Sequence, residues 1–258
     1  MPKEFVDFWK RMKWTSTSKA HPDDRDALQR LGSAVDSQTS SLKEFVSKNR
    51  KADDKTIYLS LLPVPYVGDL DRADIIVLTL NPGLHYSDFY AEKCRSDFSA
   101  ALIGMLRQSF NGQVAPFLFL DPQFCWHPGF HYWEKKLRKT VECIAEDTKV
   151  PYHRALDDLA RRLAVVQLIP YHSKKSPSNL QDVLQSSKEA KSYAHRLAAT
   201  ARQQKKTVIV LRGSWGLDNS TDVYVGNATL AASLGPEHGG KAIIMRYRGE
   251  RWLKSGRA

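Results

Sequence analysis

Ala73 to Tyr90 reads ADIIVLTLNPGLHYSDFY, and its first half decides the fold. Ile75 to Leu78 is apolar without alternation, the pattern of a strand buried on both faces of a parallel sheet. The run stops at Asn81-Pro82-Gly83. Proline brings no N–H to a strand ladder, and glycine takes φ > 0 without steric cost. An inner strand therefore delivers one asparagine to its carboxyl end, where ligands bind in open α/β sheets. His85, Tyr86, Asp88, Phe89 and Tyr90 follow and supply ring faces and polar groups. The plainer alternative is an ordinary strand-to-loop turn.

Outward from this stretch, two more apolar runs end in the same way. Leu163 to Ile169 stops at Pro170-Tyr171-His172-Ser173, and the run 207–212, TVIVLR, stops at Gly213-Ser214-Trp215-Gly216. Helical spacing predicts helices over 97–110, 133–147, 153–162 and 184–204. Pro116 to Leu120 reads as a short strand or wall, 121–133 as an aromatic loop, and Ala242 to Met245 as a final apolar segment. Strand–helix alternation predicts an α/β fold, a three-layer α/β/α sandwich with a mainly parallel central sheet of about four strands. Residues 1–55 read as an N-terminal helical extension packed on the main domain, which spans 56–258. Three strand ends then converge on one rim, which favours a site there over any single motif.

The 258 residues carry a formal charge of +11. An excess that large in a compact domain points to a polyanion, although a basic surface kept for solubility is the bland alternative. The cations are dispersed over Lys135, Lys136, Arg138, Lys139, Lys174, Lys175, Arg202, Lys205, Lys206 and, toward the end, Arg246, Arg248, Arg251, Lys254 and Arg257. That distribution suits a charged face assembled from several elements. Three scattered cysteines, with no CxxC, argue for reduced thiols in a cytoplasmic protein. No apolar run reaches the roughly 18 residues of a membrane helix, and the N-terminus has no signal-peptide pattern.

ADIIVLTLNPG resembles the first motif of the uracil-DNA glycosylase superfamily, and most closely its mismatch-specific thymine/uracil branch. Pro63-Val64-Pro65-Tyr66-Val67-Gly68 resembles the loop before it. Leu168-Ile169-Pro170-Tyr171-His172-Ser173 is similar to the third strand, and Val210-Leu211-Arg212-Gly213 to the fourth. Asn227-Ala228-Thr229 sits where that branch carries Asn-Pro-Ser. The likeness covers about residues 60–240. It implies a monofunctional DNA glycosylase, acting on DNA as a monomer with no cofactor or metal. Some relatives act in bacterial defence against phage DNA with bulky modified cytosines, including glucosylated hydroxymethylcytosine. The histidine and water-activating aspartate of the classical uracil enzymes are not evident, which turns attention from uracil to another altered pyrimidine.

The implied reaction passes through a cationic sugar and an anionic leaving base, so the site must hold a water under C1′. Asn81 would orient that water as donor and acceptor, but it cannot deprotonate it. Asp88 is the candidate carboxylate; its alternative role is a helix N-cap. His85 would meet a base carbonyl or a phosphate. Tyr86 or Phe89 would stack on the extruded base, unless they pack in the core. Gly83 opens the pocket loop, Gln167 and His172 would read the base edge, and Asn227 would close the pocket. Ser173, Lys174, Lys175, Arg212 and Ser214 would grip phosphates. His127 and His131 lie four apart, yet the intervening Pro128-Gly129 argues against the helix that would pair them on a metal. A non-catalytic nucleic-acid or nucleotide sensor, or a small-molecule nucleosidase, remains open beside the glycosylase.

Overall fold

The computed structural model describes residues 2–12, 19–49, 54–110, 115–176, 180–220, 222–225 and 234–255. Its elements run α1 (Pro2–Lys10), α2 (Arg25–Gln29), β1 (Val35–Asp36), α3 (Leu42–Asn49), β2 (Ile57–Tyr58), β3 (Tyr66–Val67) and β4 (Ile75–Thr79). Next come α4 (Tyr86–Cys94), α5 (Ser96–Leu106), α6 (Pro128–Thr148), α7 (Tyr152–Arg162) and β5 (Leu163–Gln167). The chain closes with α8 (Leu180–Val183), α9 (Gln185–Thr200), β6 (Thr207–Val210), β7 (Val223–Val225) and α10 (Gly239–Ser255).

The main sheet has five strands in the order β3-β5-β4-β6-β7, parallel except for β3. β4 lies in the middle, and every one of its residues is buried. Its alternate side chains feed two different cores, which is why its sequence does not alternate. Ile75 and Val77 pack with Val165, Ile209 and the inner faces of α5, α6 and α7. Ile76 and Leu78 pack with Val166, Val208 and the apolar faces of α1 and α9. Helices therefore cover both faces, as the α/β reading requires.

The path from β4 to β5 runs through helices on one face, and the path from β5 to β6 runs through α9 on the other. A crevice opens at such a switch point, at the carboxyl ends of the strands. Asn81 emerges there.

Several expectations need correction. The sheet has five strands, not about four, because the two-residue β3 and the three-residue β7 are too short to show a period. β1 and β2 form a separate parallel pair. Pro116 to Leu120 contains a 3-10 turn over Leu118–Leu120, not a strand. The segment 242–245 lies inside α10. The described residues of the N-terminal segment pack on the main domain. Phe5 stacks on Tyr193 at 5.1 Å, and buried Asp24 accepts from Tyr171 Oη at 2.7 Å and from Ser186 N at 3.0 Å. No helix among the described residues is long and apolar enough to cross a membrane.

Candidate functional site

β4 and β5 run in register to their last pair, Thr79 beside Gln167, and the ladder continues with Leu168 N donating to Thr79 O at 2.9 Å. Beyond them Asn81-Pro82 carries the chain off the sheet, and Gly83 turns it at φ 76°. A cleft of about 320 Å³ opens over this rim. Thr79 and Gln167 line it with the loop Asn81–His85. Asp88 and His172, the rings of Phe119, His127, Tyr132 and Trp133, and the cations Lys174 and Arg212 complete the lining.

Asn81 is held in one orientation. Its Nδ2 donates to Ser173 O at 3.0 Å and to Ser173 Oγ at 3.3 Å. A carbonyl oxygen only accepts, so the NH2 end must face Ser173 and Oδ1 is left to receive another donor. Ser173 itself is fully buried. It fixes the asparagine and does not offer a surface grip for phosphate.

Sequence reasoning missed the start of the helix that follows. α4 begins at Tyr86 with His85 as its N-cap. The His85 N–H donates to Asp88 Oδ2 at 2.7 Å, and His85 Nδ1 accepts from Ser87 N at 3.2 Å. This is a capping box with histidine in the place of serine or threonine. An accepting Nδ1 puts the proton of neutral His85 on Nε2, as a donor. The helix also turns Phe89 inward, against Phe45 at 4.6 Å, with no exposure at all. Phe89 therefore cannot stack on a base. Tyr86 is 55% exposed and sits on His85, with ring centroids 3.9 Å apart.

Asp88 is not the N-cap but the third helical residue, closing the capping box from within α4, and it is also a cleft residue. Its Oδ1 lies 3.2 Å from His127 Nε2, and its Oδ2 lies 3.9 Å from His172 Nδ1. Burial pushes its carboxyl up, but the facing His127, the charge of His172 and the His85 amide outweigh burial and hold it below the usual carboxylate range. Burial lowers the pKa of His172, against the pull of Asp88 and of the Gly83 carbonyl, to which Nδ1 donates at 3.0 Å. The cluster is thus a charged carboxylate beside two buried imidazoles.

His127 is the N-cap of α6, which starts at Pro128 and not at residue 133. Proline suits the first helical position, where its missing N–H costs nothing. His127 Nδ1 accepts from Gly129 N at 3.0 Å, so a neutral ring carries its proton on Nε2, toward Asp88. Glycine is required at 129, because a Cβ there would meet the Phe119 ring at 2.6 Å. Phe119 in turn stacks on His127, with centroids 5.4 Å apart. His131 is exposed, and no group of three or more His, Cys, Asp or Glu residues placed to hold a metal ion occurs among the described residues.

Gln167 is buried, and its Oε1 has no hydrogen-bond partner among the described residues. A buried amide acceptor without a donor is costly, roughly 1–3 kcal/mol, unless a ligand or water answers it. Lys174, in the lining, reaches Asp54 at 3.8 Å, whereas Lys175, which reaches it at 2.9 Å, lies outside the lining. Arg212 lines the cleft, while Ser214 is exposed beyond it. Asn227 lies outside the described residues. Glu92, one turn past Asp88 on α4, also escaped the sequence reading; burial pushes its carboxyl up to about 8, with Leu62 N donating to both oxygens at 3.0 Å.

Comparison of the chain with family models, with curated proteins and with solved structures finds no match.

Proposed function

We propose that the protein is a DNA glycosylase that draws an altered pyrimidine out of the stack into this cleft and hydrolyses its N-glycosidic bond, leaving an abasic site. The observation that carries the reading is the fixed Asn81: its NH2 end is consumed by Ser173, and Oδ1 remains as an acceptor over the switch point. The C1′–N bond would break with its electron pair leaving on the base; a water donating to Oδ1 would then add to the cationic C1′, and the proton it releases would end on the base. Gln167 and the Nε2–H of His85 provide polar contacts for the base edge, and the Phe119, Tyr132 and Trp133 rings provide its walls. Lys174 and Arg212 place positive charge where the flanking phosphates would lie.

Asp88 is the only carboxylate among the described residues lining the cleft. With its oxygens turned to the His85 amide and the two imidazoles and its pKa depressed, it is a weak base for the water. General-base help is typically worth roughly 10²–10⁴ in rate, so the site suits bases that leave easily as anions. The same feature favours a second reading, a module that binds an extruded base without hydrolysing the bond.

Mass spectrometry of bases released from a panel of DNAs separates the two. The panel holds unmodified DNA, uracil-containing DNA, and phage DNAs with hydroxymethylated or glucosylated cytosine. A glycosylase releases free base from at least one member, as a phage-defence enzyme would from the last two. Tight DNA binding with no base released from any member establishes the binding module instead.

A further inference from the structure

A second cavity, of about 550 Å³, lies between α6, from Tyr132 to Lys139, and Leu234–Gly235. Tyr132 lines both this groove and the cleft, so the two spaces adjoin at its ring. Tyr132, Lys135, Lys136 and Lys139 fall on one stripe of α6, at helical spacing. From Tyr132 to Lys139 the stripe rises about 10 Å, the axial length of about three nucleotides of one strand.

The charges lining this groove are not equivalent. Arg138 is used up by Glu134, with contacts of 2.8 and 2.6 Å, and Tyr152 Oη donates to the same carboxylate at 2.8 Å. Lys135 and Lys139 are exposed and form no ion pair among the described residues. Lys136 holds its Nζ 4.9 Å from the centre of the Tyr132 ring. Burial, and then the nearby Arg212, hold its ammonium below the ordinary lysine value. Burial raises the pKa of the Tyr132 hydroxyl and the nearby Arg212 pulls against it, so cations from two elements lie where groove meets cleft. Like charges gathered in this way raise the local potential and favour an extended anion.

We propose that this groove holds the sugar–phosphate backbone on one side of the extruded nucleotide, so that the protein engages a polynucleotide strand and not a free nucleoside. The inference rests on the glycosylase reading for which nucleotide is extruded, but not for the binding itself. Tyr132 is the hinge of the track: one face of its surroundings belongs to the base and the other to the phosphates.

The test is the salt dependence of binding to an unmodified, fluorescently labelled oligonucleotide, which requires no base release. Each lysine–phosphate contact contributes about one to the slope of log K against log salt. Lys135→Ala/Lys139→Ala should lower that slope by about 2. It should weaken binding at low salt at least about tenfold. Lys43→Ala/Lys188→Ala, at exposed lysines that line neither cavity, should do neither. An unchanged slope in the groove variant, or an equal fall in the control, overturns the proposal even if the wild-type protein releases a base. A lowered slope with no base released from any DNA upholds the groove and removes the glycosylase reading. Failure of the wild-type protein to bind the oligonucleotide overturns the groove directly.

Discussion

The two ends of the central sheet both carry a concavity, and the larger one is not at the switch point. At the amino end of β4, Lys3, Asp69, Asp71, Arg72 and Gln108 line a hollow of about 460 Å³, against about 320 Å³ for the cleft at the carboxyl end. The difference lies in what the polar groups are doing. At the amino end they hold the chain together. Asp69 Oδ1 accepts from Asp71 N and Arg72 N, each at 3.0 Å. Gln108 bonds Leu70 N, Gly68 O and Met105 O. Nearby, Lys206 Nζ donates to the carbonyls of Leu70, Asp71 and Ala73, so one of the cations read as surface charge is an internal brace. At the carboxyl end Asn81 Oδ1 and Gln167 Oε1 are left over. Folding engages the side chains of Asp69, Gln108 and Lys206 at one rim and leaves Asn81 Oδ1 and Gln167 Oε1 without a donor among the described residues at the other, and this separates the two better than volume does.

The largest effect that would break the contrast is on catalysis. Asn81→Ala should lower base release about 10²-fold or more, the scale of a misplaced reacting group. It should also cost roughly 1–3 kcal/mol, because it takes the donor from the buried Ser173 oxygens. Asp69→Ala should weaken its turn by roughly 1 kcal/mol with release unaltered. Parallel assays of base release and thermal unfolding check both; an Asn81→Ala protein that releases base at the wild-type rate removes the assigned role.

A smaller effect comes from exchanging one glutamine at each rim for leucine. Gln108→Leu should cost roughly 1–3 kcal/mol, since it strips partners from one backbone amide and two carbonyls. Gln167→Leu should be neutral or slightly stabilising, because it deletes an acceptor that has no donor. Its cost should appear in kcat/KM for the preferred base. Denaturant unfolding of the two variants decides the matter, and equal losses would show that the rims do not differ in this respect.

Much of this was legible in the chain because it is local. Three buried strands announce themselves as unbroken apolar runs, and the turn residues that end β4 mark the rim. Asn81, Gly83, His85, Asp88, Gln167, His172, Lys174 and Arg212 were all read from the sequence and are brought together in the lining. What stayed hidden depends on direction or on distant partners. A histidine N-cap does not signal a helix, so the helix start was read no earlier than Asp88, three residues late, and the inward turn of Phe89 stood only as an alternative. Ser173 looked like a phosphate grip because its sequence neighbours are Lys174 and Lys175, whereas its oxygens point to Asn81. The approach of His127 to Asp88 joins two distant segments, and no spacing rule reports such a pair.

The smallest predicted effect concerns pH, and its sign follows from the groups at the carboxyl rim. His172 has a lowered folded pKa and an unfolded value of about 6.5, so below that pH the unfolded chain takes a proton that the folded chain refuses. Stability is therefore full above about 6.5 and falls as the pH drops toward the folded value. Asp88 also has a lowered folded pKa; its contribution is full above about 3.9 and is lost at still lower pH. Glu92 works in the opposite sense. With its carboxyl raised to about 8, the folded chain holds a proton that the unfolded chain has already released, and stability falls as the pH rises toward 8. The Glu92 loss begins just above its unfolded value of about 4.3, so it opposes the His172 gain up to about pH 6.5 and leaves a net decline from there toward 8, each displaced pKa unit being worth about 1.4 kcal/mol. Burial lowers His21 too, on the far side of the sheet, so wild-type data alone do not assign the histidine contribution. His172→Asn keeps a donor for the Gly83 carbonyl and should remove the His172 gain between about pH 5 and 6.5, so that stability there falls more steeply as the pH rises, while the decline from 6.5 to 8 is unchanged. Glu92→Gln should remove the decline toward pH 8 and let stability rise with pH up to about 6.5. Urea midpoints measured from pH 5 to 9 read both changes. An unchanged slope below pH 6.5 in His172→Asn would assign the histidine contribution to His21.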